Sequence, residues 1–296
     1  RPPPRTRPPA RHRRAAEERR PPPRDGLSLP NFREHADPRR TADLAHQAEA
    51  TGWDGFIVWD HINAAPPGSG MADPWVLLTA AALATERVRI GTMVTPVARR
   101  RPWKLARETA TLDQLSGGRL ILGVGLGYPA DLEYAALGEE PDDRLRAEKL
   151  DEGLQVLTGL WTGEPFSFDG RHFHIDDAQF LPTPVQRPRI PIWVAQMWPH
   201  RRPLKRAARW DGLVPMHETE MFPSPAQVAD VVSEVRSSRD PDEPFDGHGP
   251  VELSADRSAA AEQARACESA GATWLQVGAR TLDVLRGQIS AGPPGR

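Results

Sequence analysis

The residues best suited to moving a proton are Asp60 and His61, in Trp59-Asp60-His61-Ile62, directly after the apolar run Phe56-Ile57-Val58. Histidine titrates nearest neutral pH, and an adjacent carboxylate can orient it or bind a ligand hydroxyl. The plainer alternative makes Asp60 a turn cap and His61 a surface loop residue. Other apolar runs end in glycine-rich stretches, Gly91-Thr92-Met93-Val94 and Gly123-Val124-Gly125-Leu126-Gly127. Without a Cβ, Gly125 and Gly127 either let a flat ligand approach the backbone or simply turn the chain. Gly125-Leu126-Gly127-Tyr128-Pro129-Ala130 also fits the loose dinucleotide pattern G-x-G-x-x-A, but it opens the fourth βα unit and has no matching acidic residue downstream. Ala195-Gln196-Met197-Trp198 leads into a helix start carrying Arg201, Arg202, Lys205, Arg206 and Arg209. Free N–H groups and guanidinium groups there would suit an anion, or the arginines form a solvated basic face.

Other chemistries fall away. His172-x-His174 shares one strand face but has no third ligand, so no zinc or other metal site is expected. Neither a phosphate-cradling G-x-x-x-x-G-K-[ST] loop nor a Gly-x-Ser-x-Gly elbow is present. The lone Cys267, in a helical pattern, reads as a packed thiol. No apolar run reaches the roughly 18 residues of a membrane span, and the positively charged start is not followed by the apolar stretch of a signal peptide. The expectation is a cytoplasmic protein with no membrane partner. Net charge is −2, yet residues 1–24 hold nine Arg against Glu17 and Glu18, which leaves the remainder at −9. An acidic body argues against a nucleic-acid partner. Residues 1–25, rich in Arg and Pro, read as a disordered tail, and residues 26–296 as one domain.

Eight βα alternations must position these groups. Strands are expected at 26–31, 56–59, 88–94, 119–124, 190–195, 212–215, 251–253 and 273–277. Helices are expected between them, such as 38–51, with Asp37 as N-cap, Pro38 at the first helical position and Gly52 past the end. Continuous apolar strands such as Ile190-Pro191-Ile192-Trp193-Val194 suit a parallel sheet covered on both faces. The expected fold is α/β, a (β/α)₈ TIM barrel of about 250 residues, whose chemistry collects at the strand C-termini. Residues 163–190 break the pattern with an Asp169-Gly170 hairpin signal, so they are expected to be an insertion after the fourth βα unit and a lid over one end.

Taken in order, Trp59-Asp60-His61, Ile90-Gly91-Thr92-Met93-Val94, Leu115-Ser116-Gly117-Gly118-Arg119, Gly123-Val124-Gly125-Leu126-Gly127 and Pro191-Ile192-Trp193-Val194-Ala195 resemble the luciferase-like monooxygenase superfamily. The resemblance implies an oxidoreductase that uses coenzyme F420 or FMN on a small-molecule substrate and assembles as a dimer or tetramer. It implies that His61 is the proton-handling residue, that Asp60, Met93, Val94, Gly125 and Gly127 border the redox ring, and that Ala195, Gln196, Met197 and Trp198 take the cofactor phosphate. Members often carry a cis peptide at the position of Met93-Val94. Tyr128 and Ala65 stand where the sugar-phosphate dehydrogenases of the superfamily have Glu and Trp, which argues against that substrate. The alternatives are a flavin-binding protein without turnover and a non-redox barrel enzyme acting on a phosphorylated metabolite.

Overall fold

Short apolar runs that cannot bury both faces alone do so by closing on one another. The computed structural model describes residues 21–219, 222–252, 257–278 and 281–294. Parallel strands β1 (Arg24–Leu29), β2 (Gly55–Val58), β3 (Arg89–Pro96), β4 (Leu120–Gly125), β7 (Ile192–Trp198), β8 (Gly212–His217), β9 (Asp246–Glu252) and β10 (Trp274–Gly278) form the barrel. It closes in the order β1-β10-β9-β8-β7-β4-β3-β2, as expected for a (β/α)₈ fold. All six residues of β4 are buried, as a strand sandwiched between helices and barrel interior must be. Helix starts follow the capping pattern: the Asp37 carboxylate accepts the Arg39 N–H at 2.9 Å and Asp73 accepts those of Trp75 and Val76 at 2.8 and 3.1 Å.

Inside the barrel, Trp193 and Trp274 pack with Ile57, Ile121 and Val214. Glycine makes the room: a Cβ on Gly55 would lie 2.8 Å from the Trp274 ring, and one on Gly212 would lie 2.3 Å from that of Trp193. Trp274 pairs with Arg24 at the start of β1 and Trp193 with Gly212 at the start of β8, so this plug fills the end opposite the strand C-termini.

The segment Leu115-Ser116-Gly117-Gly118-Arg119 is a staple. Gly117 and Gly118 adopt left-handed φ of 64° and 82°, turning the helix Pro102–Leu115 back into β4. Buried Arg119 then donates to the carbonyls of Ser116, Ala82, Thr85 and Val88 and to the Thr85 hydroxyl, at 2.7 to 2.9 Å.

Three expectations need correcting. Arg24 and Asp25, counted with the tail, are the first residues of β1, while residues 1–20 lie outside the described residues. The seventh barrel strand starts at Asp246, earlier than the apolar pair near Val251 indicated. The hairpin of β5 (Phe166–Asp169) and β6 (His174–Ala178) exists but does not lie over the mouth. Glu152 accepts the N–H groups of Arg171, His172 and Phe173, and Asp113 accepts those of Val185 and Gln186. These contacts lay the insertion along the outer flank of the helices Asp143–Leu160 and Pro102–Leu115. The reason is topological: the insertion leaves the C-terminus of a barrel helix, which lies at the end away from the mouth.

Candidate active site

His61 stands just past the C-terminus of β2, held by its backbone. Fully buried Asn31 accepts the His61 N–H at 3.2 Å and donates to the carbonyls of His61 and Ala72, both at 2.8 Å. The imidazole packs at 6.0 Å from the Phe32 ring and 5.9 Å from Trp59, whose indole N–H is bonded to Ser28 Oγ at 2.8 Å. Its Nδ1 lies 3.2 Å from Oε1 of Glu133, and the His61 side chain keeps 25% exposure against 1% for Glu133.

Glu133 comes from the segment after β4 and collects the N–H groups of Ile62, Asn63 and Ala64 at 2.9 to 3.2 Å. Its other oxygen takes the Arg99 guanidinium. Burial opposes the charge, but the hydrogen bonds from His61 and Asn63 and the field of Arg99 outweigh it and hold the carboxyl at about 2. Arg99 also reaches Asp60 at 2.8 Å, and Arg100 takes the same carboxylate at 2.8 and 2.9 Å. One charge network therefore ties the loops after β2, β3 and β4 together. Sequence reasoning missed Glu133, Arg99 and Arg100. The only available signal was a run of arginines after one strand and two carboxylates, Asp131 and Glu133, after the glycine-rich end of the next.

Asp60 is placed differently from expectation, since both arginines occupy its buried carboxylate. It shapes the mouth rather than facing it. Beyond β3 the Met93–Val94 peptide is cis, and the register with β4 shifts between Thr92 and Thr95. A Cβ on Gly125 would lie 2.6 Å from Val94 Cγ2 and 3.3 Å from Ala195 Cβ. Gly125, Val94 and Ala195 thus form one floor of small groups at the ends of three adjacent strands. Gly127 turns the following loop at φ 86°, and that loop is braced from behind. Tyr134 Oη donates to the Leu126 carbonyl at 2.6 Å, and Arg146 donates to those of Leu126 and Gly127 at 2.9 and 2.7 Å.

Strand alternation splits the last four site residues. Trp193 faces the barrel interior, so Ala195 and Met197 do as well, while Gln196 and Trp198 face the helices. Gln196 is fully buried and donates to the His200 carbonyl at 2.8 Å, and Trp198 packs on the outer core beneath Arg201 at 4.6 Å. These two support the loop from behind. The basic helix start is also largely committed: Arg201 pairs with Asp230 and Glu234, and Arg206 with Asp151. Those two guanidinium groups are held by carboxylates, Arg201 on the surface and Arg206 largely buried.

A family model described as luciferase-like monooxygenase matches residues 24–290. The chain belongs to that family. Among curated members, an F420-dependent glucose-6-phosphate dehydrogenase of Gordonia bronchialis is 38% identical over 167 residues, which are 55% of this chain and 48% of that protein. One of Kineococcus radiotolerans is 36% identical over 170 residues, again 55% and 48%. The chain matches about half the length of these relatives. Among solved structures, an F420-dependent secondary alcohol dehydrogenase in complex with an F420-acetone adduct superposes with a TM-score of 0.79 at 20% identity, covering 93% of this chain and 99% of that one. That superposition shows the same barrel fold.

Proposed function

We propose that this luciferase-like protein is an oxidoreductase that uses coenzyme F420 or FMN, with F420 favoured, on a small organic substrate bearing a carbonyl or secondary alcohol. The reading rests on one observation: an imidazole held at Nδ1 by a buried carboxylate stands just past the C-terminal end of a barrel strand, at the same end of the barrel as the packed trio Gly125, Val94 and Ala195. When bound, reduced F420 supplies the hydride. Val94, Gly125 and Ala195 would carry the ring, with Met93 beside them and Met197 toward the phosphate side. His61 would give a proton to the substrate oxygen, or take it in the reverse direction, through Nε2. F420 leads because it is the cofactor named for the curated relatives above. Their sugar phosphate does not carry over, since Tyr128 and Ala65 replace the family's Glu and Trp and the arginines beside His61 are spent on Asp60 and Glu133.

Parallel fluorescence titrations against F420 and FMN test the reading. The expected result is micromolar or tighter binding of F420, with His61→Ala keeping that affinity within about threefold and losing about 10²- to 10⁴-fold in turnover. Binding of neither cofactor, or equal turnover by wild type and variant, overturns it. Tighter binding of FMN moves the protein to the oxygenating side of the family.

The working unit is proposed to be a homo-oligomer, dimer or tetramer. Val76 and Leu83, one face of the helix Pro74–Ala84, are 55% and 70% exposed, and a second copy would cover that strip. Sedimentation of Leu83→Glu is expected to show a shift to monomer; an unchanged mass shows that this strip is not the contact.

A further inference from the structure

His61 and Glu133 are 72 positions apart in the chain, and what joins them is more specific than an ion pair. A carboxylate only accepts hydrogen bonds, so the ring nitrogen facing it must carry the hydrogen. Glu133 has no freedom to turn away. Three backbone N–H groups of the His61 loop point at it, Arg99 holds the far oxygen, and Tyr134, the next residue, is anchored to the Leu126 carbonyl. Asn31 fixes His61 on both sides of its peptide unit. Among the described residues nothing is bonded to Nε2, which lies on the partly exposed side of the ring.

We propose that Glu133 is the positioning residue for His61: by accepting Nδ1–H it fixes the neutral imidazole as the Nδ1–H tautomer and leaves the Nε2 lone pair toward the barrel mouth. The proposal rests on the reading of His61 as the proton-handling group. Arg99 is the second part of the device, because it bridges Glu133 to Asp60 and so prevents the carboxylate from rotating toward solvent. The charged groups around the ring are Glu133 directly, then Arg99, Asp60 and Arg100 behind it. That Glu133 is held at about 2, through the His61 and Asn63 hydrogen bonds and Arg99 acting against burial, agrees with an ionised acceptor at neutral and alkaline pH. The identity of the nitrogen bonded to a partner decides which nitrogen is left for chemistry.

Glu133→Gln separates positioning from mere support. Its amide oxygen still accepts the backbone N–H groups, but its NH₂ must oppose either Arg99 or the imidazole. Long-range ¹H–¹⁵N spectra of the full chain without cofactor, at alkaline pH, read the tautomer directly. The wild type is expected to show His61 as a single Nδ1–H form, and Glu133→Gln to populate Nε2–H. In steady state with F420, the variant is expected to lose about 10- to 100-fold in kcat, the scale on which an outer partner orients a functional histidine, with KM and cofactor affinity within about threefold. A wild-type spectrum dominated by Nε2–H, or a variant with unchanged tautomer and unchanged kcat, overturns the proposal. If Glu133→Gln does not fold, the wild-type spectrum alone still decides. A tautomer that moves in a protein without turnover on either cofactor keeps the positioning claim and removes the functional reading instead.

Discussion

At the barrel mouth one Cβ is enough to decide whether a planar ring can lie down. Gly125 is buried, with Val94 and Ala195 already at contact distance from where its Cβ would sit. Gly125→Ala is expected to push Val94 into the mouth, weakening cofactor binding at least tenfold while costing about 1–3 kcal/mol in stability, the usual range for overpacking. Titration and thermal unfolding of the same preparation check both; wild-type affinity would place the ring elsewhere. The placement of this residue and of His61 at strand C-termini was legible, because glycine and histidine there follow recognisable apolar runs. Glu133 was not, because nothing in Ala130-Asp131-Leu132-Glu133 distinguishes a buried acceptor from a solvated carboxylate until three N–H groups are folded onto it. Asp60 was legible in position but not in role, since its partners Arg99 and Arg100 lie past a different strand.

The helices were read from local chemistry that survives folding, namely Asp before Pro and glycine after the last turn, as at Asp37-Pro38 and Gly52. The start of strand β9 was missed because Asp246-Gly247-His248-Gly249-Pro250 has no apolar run: its glycines face packed neighbours, a Cβ on Gly249 coming 2.5 Å from Cys267 Cβ. The lid was misplaced for want of topology, since a hairpin signal does not say at which end of the barrel the insertion departs. The Leu115-Ser116-Gly117-Gly118-Arg119 segment, the most distinctive motif, turned out to hold elements rather than ligands. Arg119→Leu leaves several buried carbonyls without a donor and is expected to destabilise by about 2–4 kcal/mol, at hydrogen-bond values for charged donors. Urea unfolding measures that loss. Cofactor affinity should not change, and a large loss of affinity without loss of stability would place Arg119 in the site after all.

For the molecule as a whole, the barrel that opens at one end is sealed at the other by a group ill-suited to acid. His248 sits between Trp193, 4.1 Å away, and Trp274, stacked at 6.1 Å, with neither ring nitrogen bonded among the described residues. Burial drives its pKa from 6.5 down to about 3. The unfolded chain therefore takes up a proton near pH 6.5 that the barrel refuses until about 3, so stability is full above 6.5 and drains as pH falls through that window. One such group costs about 1.4 kcal/mol per pH unit. His35, also lowered by burial, adds in the same direction. Glu133, lowered from 4.5 to about 2, begins to contribute only below 4.5, while Asp211, raised above 3.8 by burial, works against the histidines. Urea midpoints between pH 7 and 4.5 should fall steeply in wild type, and His248→Leu, close in volume and without a titrating ring, should flatten most of that slope. An unchanged slope would mean that the proton enters the barrel floor without unfolding it, and that the two indoles do not seal His248 from water.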